Sequence, residues 1–121
     1  MSELPVFNSS NSAVVRQIID LIGESDALLL FEEFGGLRLY IPNVRPEASN
    51  LCSVITQEAV EKLTQEWGGN YIKLPLAREF MAVRYLSEGR SVRYIAKRLG
   101  LTESGVNRMF QRIRKTVSSN A

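Results

Sequence analysis

The chain has 121 residues, 45% hydrophobic and 23% charged, with one Cys, no His and a formal net charge of +2. That length describes one compact domain or two small subdomains and excludes a large multi-domain enzyme. Without His there is no imidazole base, no Ser-His-Asp or Cys-His catalysis and no His-ligated metal, and Cys52 has no partner for an intrachain disulfide.

The opening MSELPVFNSSNS lacks the basic and apolar blocks of a signal peptide. The longest unbroken apolar run, Ala27 to Phe31, falls far short of the ~20 residues a membrane span requires. A cytoplasmic protein with no membrane partner is therefore expected, with Cys52 a reduced thiol whose expected role is packing. Val14, Val15, Ile18, Ile19, Leu21 and Ile22 recur at helical spacing, with Asn11 or Ser12 as the N-cap. Gly23 interrupts this helix, and Ser25 or Asp26 is expected to cap a second one carrying Leu28, Leu29, Leu30, Phe31 and Phe34. That second helix is apolar nearly all round, which predicts burial in the monomer or at a subunit interface. The interface is favoured, because so short a half has little chain of its own to cover it. Leu28, Leu29, Phe31, Phe34 and Tyr40 are the candidate dimer contacts.

Compared with itself at an offset of 33, the chain places LIGESDALLLFEEFGGLRLYIP (21–42) on VITQEAVEKLTQEWGGNYIKLP (54–75). Ile22/Ile55, Leu30/Leu63, Glu33/Glu66, Gly35/Gly68, Gly36/Gly69 and Pro42/Pro75 are identical. Each copy reads as a helix, a Gly-Gly stop in the left-handed conformation, a short strand and a Pro. Ser53 or Thr56 opens the second helix, and residues 43–51, with Pro46, connect the copies. A lone short strand is unstable in water, so the two pair either with each other or with copies in a second chain. Neither GxGxxG nor GxxxxGK[ST] occurs, so the glycines read as structural rather than phosphate-binding.

From residue 76 three helices follow. The first carries Leu76, Phe80, Val83 and Leu86 as its core stripe and ends at Gly89. Ser91 caps the second, with Val92, Ile95, Ala96 and Leu99 inward and Gly100 closing it. Thr102 caps the third, expected over 102–117, with Val106, Met109, Phe110 and Ile113 inward. Ala96, Gly100, Val106 and Met109 sit where a helix-turn-helix needs a small residue, a turn and two apolar locks. The charge supports this reading. Residues 1–68 hold four basic and ten acidic residues, whereas residues 69–121 hold eleven basic and three acidic ones, so the C-terminal part attracts phosphates.

In a helix-turn-helix the last helix enters the major groove. Thr102, Glu103, Ser104, Asn107, Arg108 and Gln111 are then the base-reading candidates, since Arg suits guanine, Asn and Gln suit adenine, and Glu accepts from cytosine. Lys73, Arg90, Arg93, Lys97, Arg98, Arg112, Arg114 and Lys115 are the phosphate candidates; for Arg114 and Lys115, offsetting the helix dipole is an equal alternative. Tyr94 either packs or binds phosphate. Asp20, Asp26 and the glutamates lack convergent spacing, so no catalytic residue, metal or cofactor is expected.

The segments GGLRLYIP and GGNYIKLP, followed by EGRSVRYIAKRLGLTESGVNRMFQRIR, resemble the Mor/C family of phage middle and late transcription activators, best over residues 68–115. The resemblance implies a mainly helical protein with short strands: a dimerisation region over 1–75, a helix-turn-helix domain over 76–117 and a tail over 118–121. It also implies a prophage-type activator that, as a homodimer, binds double-stranded DNA at an inverted repeat and contacts RNA polymerase, with the strand region near the minor groove. Gly68, Gly69, Ile72, Leu74 and Pro75 match the family's strand element. Its Tyr falls at Lys73 in the second copy and at Tyr40 in the first, so a groove role for Tyr71 and Lys73 stays open, and the first copy either touches DNA or only builds the dimer. Two other readings also stay open: a repressor of the same architecture, and a protein-interaction module that does not bind DNA.

Overall fold

A computed structural model describes residues 12–45 and 49–120, with side chains described for 13–45 and 49–115. The expected cap at Asn11 and the loop residue Pro46 lie outside the described residues. The fold is mainly helical with one small sheet. In chain order come α1 (Ser12–Ile22), α2 (Glu24–Phe34), β1 (Arg38–Tyr40), a 3-10 turn (Asn50–Ser53), α3 (Gln57–Trp67), β2 (Tyr71–Lys73), α4 (Arg78–Ser87), α5 (Val92–Leu99) and α6 (Glu103–Asn120). They form two compact units, one over Ala13–Leu76 and the other from Ala77 onward. Among the described residues no helix is long and apolar enough to cross a membrane.

The repeat governs the first unit. The bounds of α2 and β1 reappear in α3 and β2 at the same offset of 33. Repeat-related positions are also buried alike: Ala27 with Val60, and Leu30 with Leu63, each fully enclosed. The two strands pair antiparallel within the chain, Arg38 opposite Lys73, Leu39 opposite Ile72 and Tyr40 opposite Tyr71. The offset makes Arg38 equivalent to Tyr71 and Tyr40 equivalent to Lys73, so the pairing relates the copies by a local two-fold axis through the Leu39–Ile72 pair. The flanking hydrogen bonds obey the same symmetry. The Gly36 N–H donates to the Leu74 carbonyl at 2.9 Å, and its counterpart Gly69 donates to Ile41 at 2.7 Å. Leu74 N–H donates to Leu37, and Ile41 N–H to Asn70, both at 2.9 Å.

The Gly-Gly pairs form this junction differently from the expected left-handed helix cap. Gly35 and Gly68 have φ of −56° and −53° with ψ near 133°, and only Gly36 and Gly69 turn to φ of 86° and 85°. With Leu37 N–H on Phe34 O and Asn70 N–H on Trp67 O, each at 3.0 Å, these are type II turns, which demand a positive φ at their third residue. The first glycine answers a different need. A Cβ on Gly35 would meet the Phe31 carbonyl at 2.6 Å, and one on Gly68 the Thr64 carbonyl at 2.5 Å.

The remaining core of this unit follows amphipathic spacing. Val15, Ile18, Ile19 and Ile22 of α1 are buried, and Val14 and Leu21 are half-buried. The cap of α2 is Gly23, so the expected caps Ser25 and Asp26 lie inside its first turn. There Glu24 and Asp26 complement the helix dipole. Asp26 instead ties the two copies together, its carboxylate accepting from the Thr56 N–H at 3.1 Å and from the Thr56 hydroxyl at 2.9 Å. Thr56 caps α3 by accepting from the Ala59 N–H at 3.2 Å.

In the second unit α4, α5 and α6 pack pairwise. Its core is Phe80, Met81, Ala82 and Tyr85 of α4, Ile95, Ala96 and Leu99 of α5, and Val106, Met109 and Ile113 of α6. This corrects the expected stripe on α4. Leu76 and Leu86 are 50% and 47% exposed and Val83 is half-buried, because the helix starts at Arg78 and its inward face is centred on Met81 and Tyr85. Val92 and Phe110 are half-buried as well. Helix α6 continues to Asn120, so residues 118–120, expected as a tail, are helical.

Candidate nucleic-acid interface

The α5–α6 hairpin is shaped by three local devices. The Ser91 hydroxyl accepts from the Tyr94 N–H at 3.0 Å and starts α5. Gly100 ends it at φ 71° and ψ 34°, its N–H donating to the Ala96 carbonyl, and the Leu101 N–H closes on the same carbonyl at 2.8 Å, the six-residue closure seen in Schellman-type caps. Two residues later the Thr102 hydroxyl accepts from the Gly105 N–H at 2.9 Å and starts α6. Thr102 is thus first a cap, with its hydroxyl hydrogen, second lone pair and methyl left for any contact with a base.

Val106, Met109 and Ile113 fill the inward face of α6. At 100° per residue the opposite face carries Ser104, Asn107, Arg108, Gln111 and Lys115, with Glu103 and Arg114 on one flank, and all seven are exposed. Arg112 therefore lies off this face, while the base-reading candidates Ser104, Asn107, Arg108 and Gln111 share one outward stripe. Its hydrogen-bonding side chains include both donors and acceptors. Of the four residues expected to shape the turn, Ala96, Val106 and Met109 are buried and Gly100 is exposed.

The cations divide. Arg90, Arg93, Lys97, Arg98, Arg114 and Lys115 are exposed. Arg90 lies over the Tyr94 ring, 4.8 Å from its centroid, and Tyr94 meets the buried Tyr85 edge-on at 5.6 Å. Tyr94 thus packs and also holds Arg90 in place. Arg112 is used differently, its guanidinium donating to the Glu79 carboxylate of α4 at 3.0 Å. It clips α6 to α4, and a phosphate would have to compete with Glu79 for it.

Lys73 belongs to the other unit, on β2. There it faces Arg38 across the ribbon, next to the Tyr40–Tyr71 pair, whose ring centroids are 5.2 Å apart. The Arg38 guanidinium lies 4.7 Å from the Tyr71 ring centroid. All four side chains are exposed, giving a small outward face of two cations and two aromatics. Arg38 was missed in the sequence because it stands in an acidic stretch, and only the strand register brings it to Lys73.

The expected dimer contacts separate by burial. Leu28 and Phe31 are 8% and 2% exposed, so the chain itself encloses them and they present no surface to a partner. The chain thus covers this part of the helix face without a second subunit. Leu29 and Tyr40 are exposed and Phe34 is half-buried. Phe34 and Tyr40 line an open groove of about 450 Å³ with Leu39, Pro42 and Val44. Cys52 is half-buried. Among the described residues no group of three His, Cys, Asp or Glu is placed to hold a metal ion. Comparison with protein-family models, curated proteins and solved structures finds no match.

Proposed function

We propose that this chain is a sequence-specific regulator of transcription that reads double-stranded DNA with α6. The observation that carries this reading is the outward stripe of α6. Ser104, Asn107, Arg108 and Gln111 stand together, opposite a fully apolar inward face, on a helix fixed by a capped turn. On this reading α5–turn–α6 is a helix-turn-helix, α6 lies in the major groove, and Arg108, Asn107 and Gln111 make the base contacts. Arg90, Arg93, Lys97, Arg98, Arg114 and Lys115 hold phosphates, and Arg112 contributes only after leaving Glu79.

The resemblance to Mor/C activators supports an activator acting with RNA polymerase in the cytoplasm, with the ribbon residues Arg38, Tyr71 and Lys73 as an additional groove contact. Selection of bound duplexes from a random pool at moderate salt tests the reading. An enriched motif is expected, with affinity falling steeply as salt rises, since each phosphate contact adds about 0.9 to the log–log slope. In that motif Arg108→Ala is expected to cost ~1–3 kcal/mol and relax one base position. An equal loss on random duplex would make Arg108 a phosphate contact instead. If a folded chain enriches nothing, the DNA reading fails and the basic face becomes a docking surface for an acidic protein.

A further inference from the structure

The repeat and the recognition helix are present in unequal numbers. Each chain has two helix-strand units but one three-helix unit, which follows the second copy; the corresponding place after the first copy is taken by the connection that includes the 3-10 turn. The two strand units are already paired with each other about the Leu39–Ile72 axis. The instability of a lone short strand is therefore resolved inside one chain, without a second subunit. Each strand is three residues long, so its outer edge offers another chain little to pair with. Of the apolar positions expected to join two chains, Leu28 and Phe31 are buried within the chain, while Leu29 and Tyr40 stay exposed and Phe34 half-buried.

We infer that the internal repeat acts as a dimer within one chain, so that the working unit is a monomer with a single α6 that recognises one asymmetric half-site of duplex DNA rather than an inverted repeat. This inference rests on the DNA-binding reading above and adds the form of the site. A two-fold operator matches a protein that carries two related recognition helices. Here the symmetry lies in the strand ribbon, and among the described residues α6 has no symmetry mate. A single recognition helix makes few base contacts, so the short site needs support from phosphate contacts, and a strong salt dependence follows.

Three measurements test this with the full chain. In a Cys52→Ala background, Tyr40→Cys with Tyr71→Cys places two thiols at facing positions of the ribbon. Such positions lie about 4.5–5.5 Å apart at Cα, within reach of a disulfide. Mild oxidation at low micromolar concentration should consume both thiols while the protein still runs as one chain on a non-reducing gel. A covalent dimer would mean that the strands pair between chains and would overturn the inference. Sedimentation of the unsubstituted protein covers the case in which the double variant fails to fold. One-chain mass up to tens of micromolar is expected, and a two-chain mass, for instance through the groove at Phe34 and Tyr40, would overturn it.

Duplex selection is then expected to enrich one short motif without two-fold symmetry, bound by one chain per duplex. Enrichment of two inverted half-sites about one helical turn apart would refute the half-site while upholding DNA binding. If nothing is enriched although the chain sediments as a monomer and cross-links within itself, the DNA reading fails and the half-site with it, while the one-chain closure of the repeat stands.

Discussion

The two units of this chain solve the same packing problem in different ways. The Ala13–Leu76 unit builds its centre by duplication. A helix, a type II turn and a three-residue strand occur twice and meet about a local two-fold axis, so each copy supplies what the other lacks. The unit from Ala77 onward has no internal copy and closes three different helices around a shared core, with caps and a left-handed Gly100 setting the angle between the last two. The surfaces differ accordingly. The duplicated unit encloses Leu28, Leu30 and Phe31 but leaves Leu29 and Tyr40 exposed, whereas the three-helix unit leaves one polar, cation-flanked helix face exposed. On the readings proposed above, the duplicated unit closes on itself and the unduplicated one keeps a face for DNA.

The sharpest way to break this comparison is Phe31→Asp. Phe31 is 2% exposed, so an unpaired carboxylate there is expected to cost more than ~3 kcal/mol and unfold its unit. Emission from Trp67, the single Trp, would report that loss in denaturant. A stable protein that merely dissociates from a dimer to a monomer would restore Phe31 to a subunit interface.

Next in size, Leu30→Ala and Leu63→Ala test the duplication directly. Both side chains are fully buried at equivalent positions, so each is expected to cost ~2–5 kcal/mol. Urea unfolding should place the two within ~1 kcal/mol of each other, since cavities of the same side chain in related surroundings differ mainly in how far the site relaxes. A gap of several kcal/mol would mean that the symmetry of the backbone does not extend to the core.

Smaller effects separate two uses of glycine, one in each unit. Gly68→Ala puts a Cβ 2.5 Å from the Thr64 carbonyl and is expected to cost ~1–3 kcal/mol through backbone displacement. Gly100→Ala meets nothing within 4 Å but must hold φ at 71°, a strain of ~1–2 kcal/mol. If thermal unfolding finds Gly100→Ala the costlier of the two, the crowding at the strand junction is softer than its geometry suggests. The smallest effect belongs to Arg112→Ala. The pair with Glu79 is partly exposed on both sides, so its loss should cost no more than ~1 kcal/mol and less in high salt. A larger cost would mean that α6 depends on this clip for its position.

Much of this architecture was legible in the residues. The offset of 33, the Gly-Gly-strand-Pro units and the apolar stripes of α1, α5 and α6 reflect local rules: helical spacing, turn chemistry and capping hydroxyls act within a few residues of themselves. Ser91, Gly100 and Thr102 are such positions, and with them the exposed stripe on α6. The inward face of α4 was misjudged because two overlapping apolar stripes, Leu76–Phe80–Val83–Leu86 and Met81–Tyr85, satisfy the same periodicity. In the packed unit Phe80 of the first stripe is buried together with Met81 and Tyr85, and Leu76 and Leu86 are left outside. The cap of α2 was misjudged for a similar reason, since Asp26 is a good capping residue but its carboxylate bonds to Thr56, 30 residues away.

By itself the sequence determined the elements and their repetition, the polarity of charge between the two halves, and the candidates for reading DNA, because each depends on residue type and short-range spacing. Only the tertiary structure decided what the repeated strands pair with. Their sequences are equally compatible with pairing inside a chain or between chains, and the outcome depends on whether the connecting segment lets the second copy return antiparallel to the first. Once it does, Leu28 and Phe31 become core, Arg38 joins Lys73 across the ribbon, and Arg112 is drawn to Glu79. None of these contacts follows from the local pattern around any one of those residues, because each is made between parts of the chain more than 30 residues apart or by enclosure from several elements at once.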